Sequence, residues 1–230
     1  QLLITCLPAS YLHVCGSRNP NLDKCILNSL NSMNEKLLHG IPEMDILSIE
    51  PLKIGDLVLT DLPNFKAVGS DVKLKGISTY HAHYFHIDLE KKIININMTT
   101  NELSTNSLFN ITTRILVPIE AMGNLSLITK NPTAQIEITY VVINRGGKKL
   151  FYFSSLNLKI HIIDFDLDFH GQTLDKTLDE AIKQTIRNNK KELLAASIVN
   201  IEKAISKKCL EIMNNIVKHF TYDELLPDRE

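Results

Sequence analysis

From residue 172 to residue 220 the chain carries neither Gly nor Pro. Along that stretch Leu174, Leu178, Ile182, Ile186, Leu194, Ile198, Ile201, Ile205, Ile212, Ile216 and Phe220 recur, mostly at steps of three and four. A gap falls around Asn188-Asn189, and charged residues fill the opposite face. This is the period of an amphipathic helix. At about 1.5 Å per residue, one such helix would reach roughly 70 Å, too long for a compact ball. It must lie against something equally long, and the preceding strand-rich region is the only partner.

Residues 56–170 are strand-like. Ile94, Ile96 and Met98 alternate with Asn95 and Asn97, and Phe109, Ile111, Thr113, Ile115 and Val117 alternate with Asn110, Thr112 and Arg114. Residues 135–143 and 150–169 behave similarly, with turns at Asn131-Pro132 and Arg145-Gly146-Gly147-Lys148. One dry face and one wet face mark antiparallel sheet. Ahead of it, Leu22, Ile26, Leu30, Met33 and Leu37 predict a helix over 20–39, capped at Asn21 or Asp23 and stopped by Gly40-Ile41-Pro42. The expected class is α+β: a highly curved antiparallel sheet wrapped lengthwise on a long C-terminal helix. Such a wrap leaves an interior too wide for side chains alone, and apolar tubes bind apolar ligands.

The chain has 25 basic and 26 acidic residues, a net charge of −1. That argues against nucleic-acid binding and against a basic membrane-surface binder. No apolar run approaches the ~20 residues of a spanning helix, so no stable membrane insertion is expected. Of the cysteines Cys6, Cys15, Cys25 and Cys209, the pair Cys15 and Cys25 brackets a turn-rich loop. A disulfide there would contribute roughly 2–3 kcal/mol. A zinc site is the rival reading, without a close C-x-x-C pair or a neighbouring His cluster to support it. Cys209 sits on the apolar stripe and is expected to be reduced and inaccessible. Sequons at Asn97, Asn110 and Asn124 are candidate glycosylation sites. Residues 1–10 read as the tail of a signal peptide, which would place Cys6 outside the mature fold.

Chemistry-bearing runs are few. On a strand His81 and His83 share a face, with His86 opposite, and exposed histidines are favoured over a metal site. Asp164, Asp166 and Asp168 alternate with Phe165, Leu167 and Phe169, which reads as a strand with outward carboxylates and not a calcium loop. No nucleophile elbow and no phosphate loop is present, Ser154-Ser155 has no adjacent His, and no enzyme, cofactor or metal is expected. The candidate ligand-binding residues are apolar: Ile94, Ile96, Met98, Phe109, Ile111, Ile115, Ile136 and Ile138 from the sheet, with Ile198, Ile201 and Ile205 from the helix. Tyr140 is the candidate polar anchor, because a tyrosine on a dry face needs a partner for its hydroxyl.

Cys15, Cys25 and the short helix after them, then Leu38-His39-Gly40-Ile41-Pro42-Glu43, Ile49-Glu50-Pro51-Leu52 and the ending 220–227, resemble the insect takeout and juvenile-hormone-binding protein family. The resemblance runs from about Cys15 to Pro227. It implies a tubular lipid-binding fold, forming a single domain over 11–230. It also implies secretion and an internal tunnel holding a terpenoid, a fatty-acid-like chain or another lipid. Hormone-binding members carry a second disulfide from the late strands to the long helix. No cysteine lies between Phe151 and Phe169 to meet Cys209, so the takeout-like branch is favoured. The alternative is a surface-acting secreted interaction or signalling protein with a filled interior and an unknown receptor.

Overall fold

The computed structural model describes residues 13–114, 118–172 and 175–230, apart from the side chains of Glu43 and Pro118. The expected signal remnant, with Cys6, lies outside the described residues, as do Ile115, Val117 and Leu174. The N-terminal helical pattern folds as α1 (Leu22–Ser32) and α2 (Asn34–His39), joined at Met33. Gly40 stops it with φ 81°, a left-handed value that favours glycine. Nine strands follow: β1 (Leu52–Leu62), β2 (Phe65–Leu74), β3 (His81–Asp88), β4 (Ile93–Thr99), β5 (Glu102–Arg114), β6 (Pro118–Lys130), β7 (Thr133–Arg145), β8 (Lys148–His161) and β9 (Phe165–Gly171). The chain ends in α3 (Lys176–Asn188), α4 (Lys190–Val217) and the single turn α5 (Tyr222–Leu225).

Every paired neighbour is antiparallel. The strands divide into two sheets, ordered β1-β2-β5-β6-β9 and β3-β4-β7-β8, and neither closes on itself. Short links carry the chain from β4 to β5 and from β6 to β7, so the sheets run end to end. Backbone bonds between these two links stitch the junction: Asn131 N–H donates to Asn101 O at 2.9 Å and Thr100 N–H to Pro132 O at 3.2 Å.

The expected single helix over 172–220 is instead two helices, broken at Asn189 (φ −113°, ψ 20°). Asparagine competes with the helix by bonding nearby backbone. Here the Asn189 amide donates to Thr185 O at 2.7 Å and ends α3. The 28 residues of α4 still span about 42 Å, and α4 packs along both β8 and β1, bridging the two sheets.

Each open sheet edge exposes backbone groups that need partners, and helical side chains supply them. Asn214 of α4 accepts from Phe153 N–H on β8 and donates to Phe153 O, both at 2.9 Å. Asn31 of α1 does the same to Ala82 on β3, at 2.8 Å each way. Asp179 of α3 accepts from Gly171 N–H of β9 at 3.1 Å. Asn200 of α4 reaches Leu59 O of β1 at 3.5 Å. Glu202 corrects the expectation that charges lie opposite the apolar stripe. It is buried against β8, accepting from Ile160 N–H at 2.9 Å and Lys159 Nζ at 3.0 Å. A helix laid on a strand edge meets unpaired donors, and a carboxylate satisfies them without an apolar partner.

Cys15 and Cys25 form the expected disulfide, with Cα atoms 6.0 Å apart. The loop it closes clasps the C-terminus: Ser17 N–H donates to Pro227 O at 2.8 Å and Arg18 N–H to Arg229 O at 3.0 Å. Cys209 is unpaired and half-buried against the core, and burial pushes its thiol up to about 11.

Candidate ligand-binding site

The interior holds two large apolar clusters. The first lies under the four-stranded sheet and includes Ile94, Ile96, Ile138, Tyr140 and Ile205, with Met98 and Ile136 partly buried against it. The second lies under the five-stranded sheet and includes Phe109 and Ile111, with Ile182 and Ile186 of α3. Ile201 packs against both. Ile198 is half-buried and belongs to neither, and Ile115 lies outside the described residues.

Tyr140 is among the least exposed residues of the first cluster. Its ring stacks on Phe151 at 4.6 Å, and Phe151 meets Phe153 edge-on at 4.8 Å and Tyr222 at 6.0 Å. The residue is 1% exposed, and its hydroxyl has no hydrogen-bond partner among the described residues. Burial, then Tyr222 and Asp88, push its pKa up to about 12, so the hydroxyl stays a neutral donor. Tyr80 shows what a buried tyrosine ordinarily does: its hydroxyl donates to Leu30 O at 2.7 Å. A buried polar group without a partner carries a desolvation cost of about 1–3 kcal/mol.

The second cluster contains a cavity of about 30 Å³. Of the residues expected from sequence, Ile111 and Ile201 border it. The rest of its wall comes from Leu59 and Thr60 of β1, Phe65 and Ala67 of β2, β6, β9, Ile186 of α3, and the first turns of α4. Phe165 and Leu167 of β9 were legible as the inward side of the Asp164–Phe169 alternation. Thr60 was not, because a β-bulge at Leu59 breaks the alternation. Among the described residues no charged side chain lines the cavity.

Elsewhere the polar runs face outward. Asp164, Asp166 and Asp168 are exposed while Phe165 and Phe169 are buried, as the alternation requires. His81, His83 and His86 are all exposed. Sequence placed His86 opposite the other two, but a bulge at His83 shifts the phase and turns His86 outward, 2.8 Å from Asp23. Among the described residues, His13, Cys15 and Cys25 group at metal-ligand spacing, with both sulfurs committed to the disulfide. Asn110 and Asn124 are exposed on the five-stranded sheet, and Asn97 is half-buried on β4. No helix among the described residues is long and apolar enough to cross a membrane.

The fold resembles the crystal structure of Takeout 1 from Epiphyas postvittana, with a TM-score of 0.79 and 18% identity, over 93% of this chain and 98% of that one. Lipopolysaccharide binding protein aligns more weakly, with a TM-score of 0.34 and 11% identity, over 83% of this chain and 39% of that one. No curated protein matches the sequence. Residues 2–227 match the family described as Haemolymph juvenile hormone binding protein. With that match spanning nearly its whole length, the chain belongs to the haemolymph juvenile hormone binding protein family.

Proposed function

We propose that this protein is a secreted carrier that holds a hydrophobic small molecule in its interior, between the sheets and α4. The ligand class is a terpenoid, a fatty-acid-like chain or another lipid. Tyr140 carries the reading: a neutral donor, 1% exposed and unpartnered, set in an aromatic and aliphatic interior. A ligand oxygen would relieve that donor, and Ile94, Ile96, Met98, Ile136, Ile138 and Ile205 would surround the hydrocarbon. Membership of a family named for a haemolymph hormone-binding protein supports the carrier role. The disulfide and the sequons at Asn97, Asn110 and Asn124 support an extracellular setting. Burying about 300 Å² of apolar ligand would contribute about 7 kcal/mol before the cost of immobilisation.

Mass spectrometry of the organic extract of protein from its natural source tests this, and a bound lipid is expected. Delipidated protein should bind a neutral lipophilic fluorescent probe. Tyr140→Phe should weaken oxygen-bearing competitors by about tenfold without loss of stability. An extract without lipid, together with no probe uptake, overturns the reading. The small ligand-free cavity favours the second reading, a surface-acting secreted protein with a filled interior. The same titration separates the two, since a filled interior takes up no probe.

A further inference from the structure

Along β1 the register against β2 slips at three places, and at the last of them two consecutive residues are buried. Val58 pairs with Val68 and Thr60 with Ala67, so Leu59 is the extra residue of a β-bulge. Bulges re-aim side chains, and this one turns two consecutive residues inward. Leu59 is 9% exposed and Thr60 is 1% exposed, and both line the cavity under the five-stranded sheet. Asn200 of α4 reaches the Leu59 carbonyl and meets the bulge from the helix side. The Thr60 hydroxyl has no hydrogen-bond partner among the described residues.

Among the described residues one other hydroxyl borders the cavity. Ser197 is buried, and its hydroxyl already donates to Leu193 O at 2.5 Å. Among the described residues the cavity therefore offers one uncommitted donor, Thr60 Oγ1–H, in an otherwise apolar wall that holds no cation. A ligand carboxylate buried there would stay uncompensated, whereas a neutral carbonyl, ester or ether oxygen would accept the bond. An ordered water is the competing occupant, but a buried water ordinarily makes about three hydrogen bonds, more than these two hydroxyls readily supply.

Building on the carrier reading, we propose that Thr60 is an anchor in the five-stranded half of the interior, binding the neutral oxygen function of a lipid and selecting against free carboxylates. The site is separate from Tyr140, which lies in the other cluster. Ile201 borders the cavity and packs on both clusters, so it stands where a ligand chain would leave Thr60 for the four-stranded half. About 30 Å³ accommodates only the oxygen-bearing end group, and the hydrocarbon must displace side chains of the wall.

The test uses delipidated wild-type protein, Thr60→Val and Thr60→Ser. N-phenyl-1-naphthylamine is displaced by methyl laurate, laurate or tridecane. Wild type should favour methyl laurate over both competitors. Thr60→Val should weaken methyl laurate by about tenfold and leave tridecane unchanged, and Thr60→Ser should keep the ester preference. Ligand-free Thr60→Val should melt at or above the wild-type temperature, since it removes an unpaired hydroxyl. Equal displacement by methyl laurate in wild type and Thr60→Val overturns the anchor while leaving the carrier reading intact. A lower melting temperature for ligand-free Thr60→Val also overturns it, by showing a hydroxyl already held by water. Wild type that takes up no probe overturns both.

Discussion

The two halves of the interior are built from the same kind of strand and end differently. Under the four-stranded sheet, Ile94, Ile96, Ile138 and Tyr140 face inward and pack around a stacked aromatic set, although the register slips at His83 of β3 and opposite Tyr140 on β8. Under the five-stranded sheet, the bulge at Leu59 and the helix break at Asn189 interrupt the regular pattern, and the cavity lies among residues close to both. Both halves therefore carry bulges and an inward hydroxyl without a partner, Tyr140 in one and Thr60 in the other. The difference is that only in the five-stranded half does a bulge meet a helix break, and there space is left.

Ile201 joins the halves, so it offers the severest test of whether they form one interior. Ile201→Asp places a carboxylate against both clusters and should cost about 3 kcal/mol or more. Lys203→Asp, exposed two residues on, should cost less than about 0.5 kcal/mol. Urea melts of the two variants measure the difference, and equal losses would mean that α4 presents another face inward.

Shrinking one residue in each half sharpens the contrast. Ile138→Ala in the four-stranded half should leave a new cavity and cost about 2–5 kcal/mol. Ile111→Ala borders space that already exists, so its cost should fall nearer the lower bound and probe binding should change instead. Denaturation midpoints read beside a probe titration decide this. An Ile111→Ala loss as large as that of Ile138→Ala, with unchanged probe binding, would show that both halves are solid core.

What sequence disclosed and what it hid divide along the same line. The strands, the Gly40 stop, the disulfide and the inward set Phe165, Leu167 and Phe169 follow from local pattern, because burial of one face imposes a period on neighbouring residues. The gap at Asn188-Asn189 was visible, but its outcome depended on a side-chain bond from Asn189 to Thr185. His86 was misplaced and Thr60 went unread because of bulges, which one strand's alternation does not reveal. Glu202, Asn214, Asn31 and Asp179 read as ordinary surface polar residues. Except for Asp179, their partners lie tens of residues away, on strand edges that exist only after folding.

Those edge contacts yield the next effect in size. Asn214→Ala would leave the Phe153 N–H and C=O of β8 unpaired beneath α4, a loss of about 1–3 kcal/mol. Hydrogen exchange should accelerate at Phe153 while β1 stays protected. Uniform acceleration across both sheets would mean that α4 binds the two edges as one cooperative unit.

The smallest effect concerns the β9 edge and acid. Asp179 accepts from Lys183 Nζ at 2.8 Å and from Gly171 N–H at 3.1 Å. The Lys183 bond first, then that of Gly171, holds the Asp179 carboxyl below its ordinary value of 3.8. A depressed folded pKa contributes stability that is present above the unfolded value and lost as pH falls through the folded one. The ion pair is partly exposed, so its global contribution is small. The local consequence is specific: protection of the Gly171 amide should weaken as pH falls below about 4. Asp179→Asn keeps an acceptor for Gly171 but no longer titrates, so its protection should stay level once intrinsic exchange rates are corrected. Parallel exchange measurements at pH 5 and pH 3 compare the two. An identical loss of Gly171 protection in Asp179→Asn would assign the acid response of this edge to another group, with the Asp164–Lys190 pair at the other end of β9 the next to substitute.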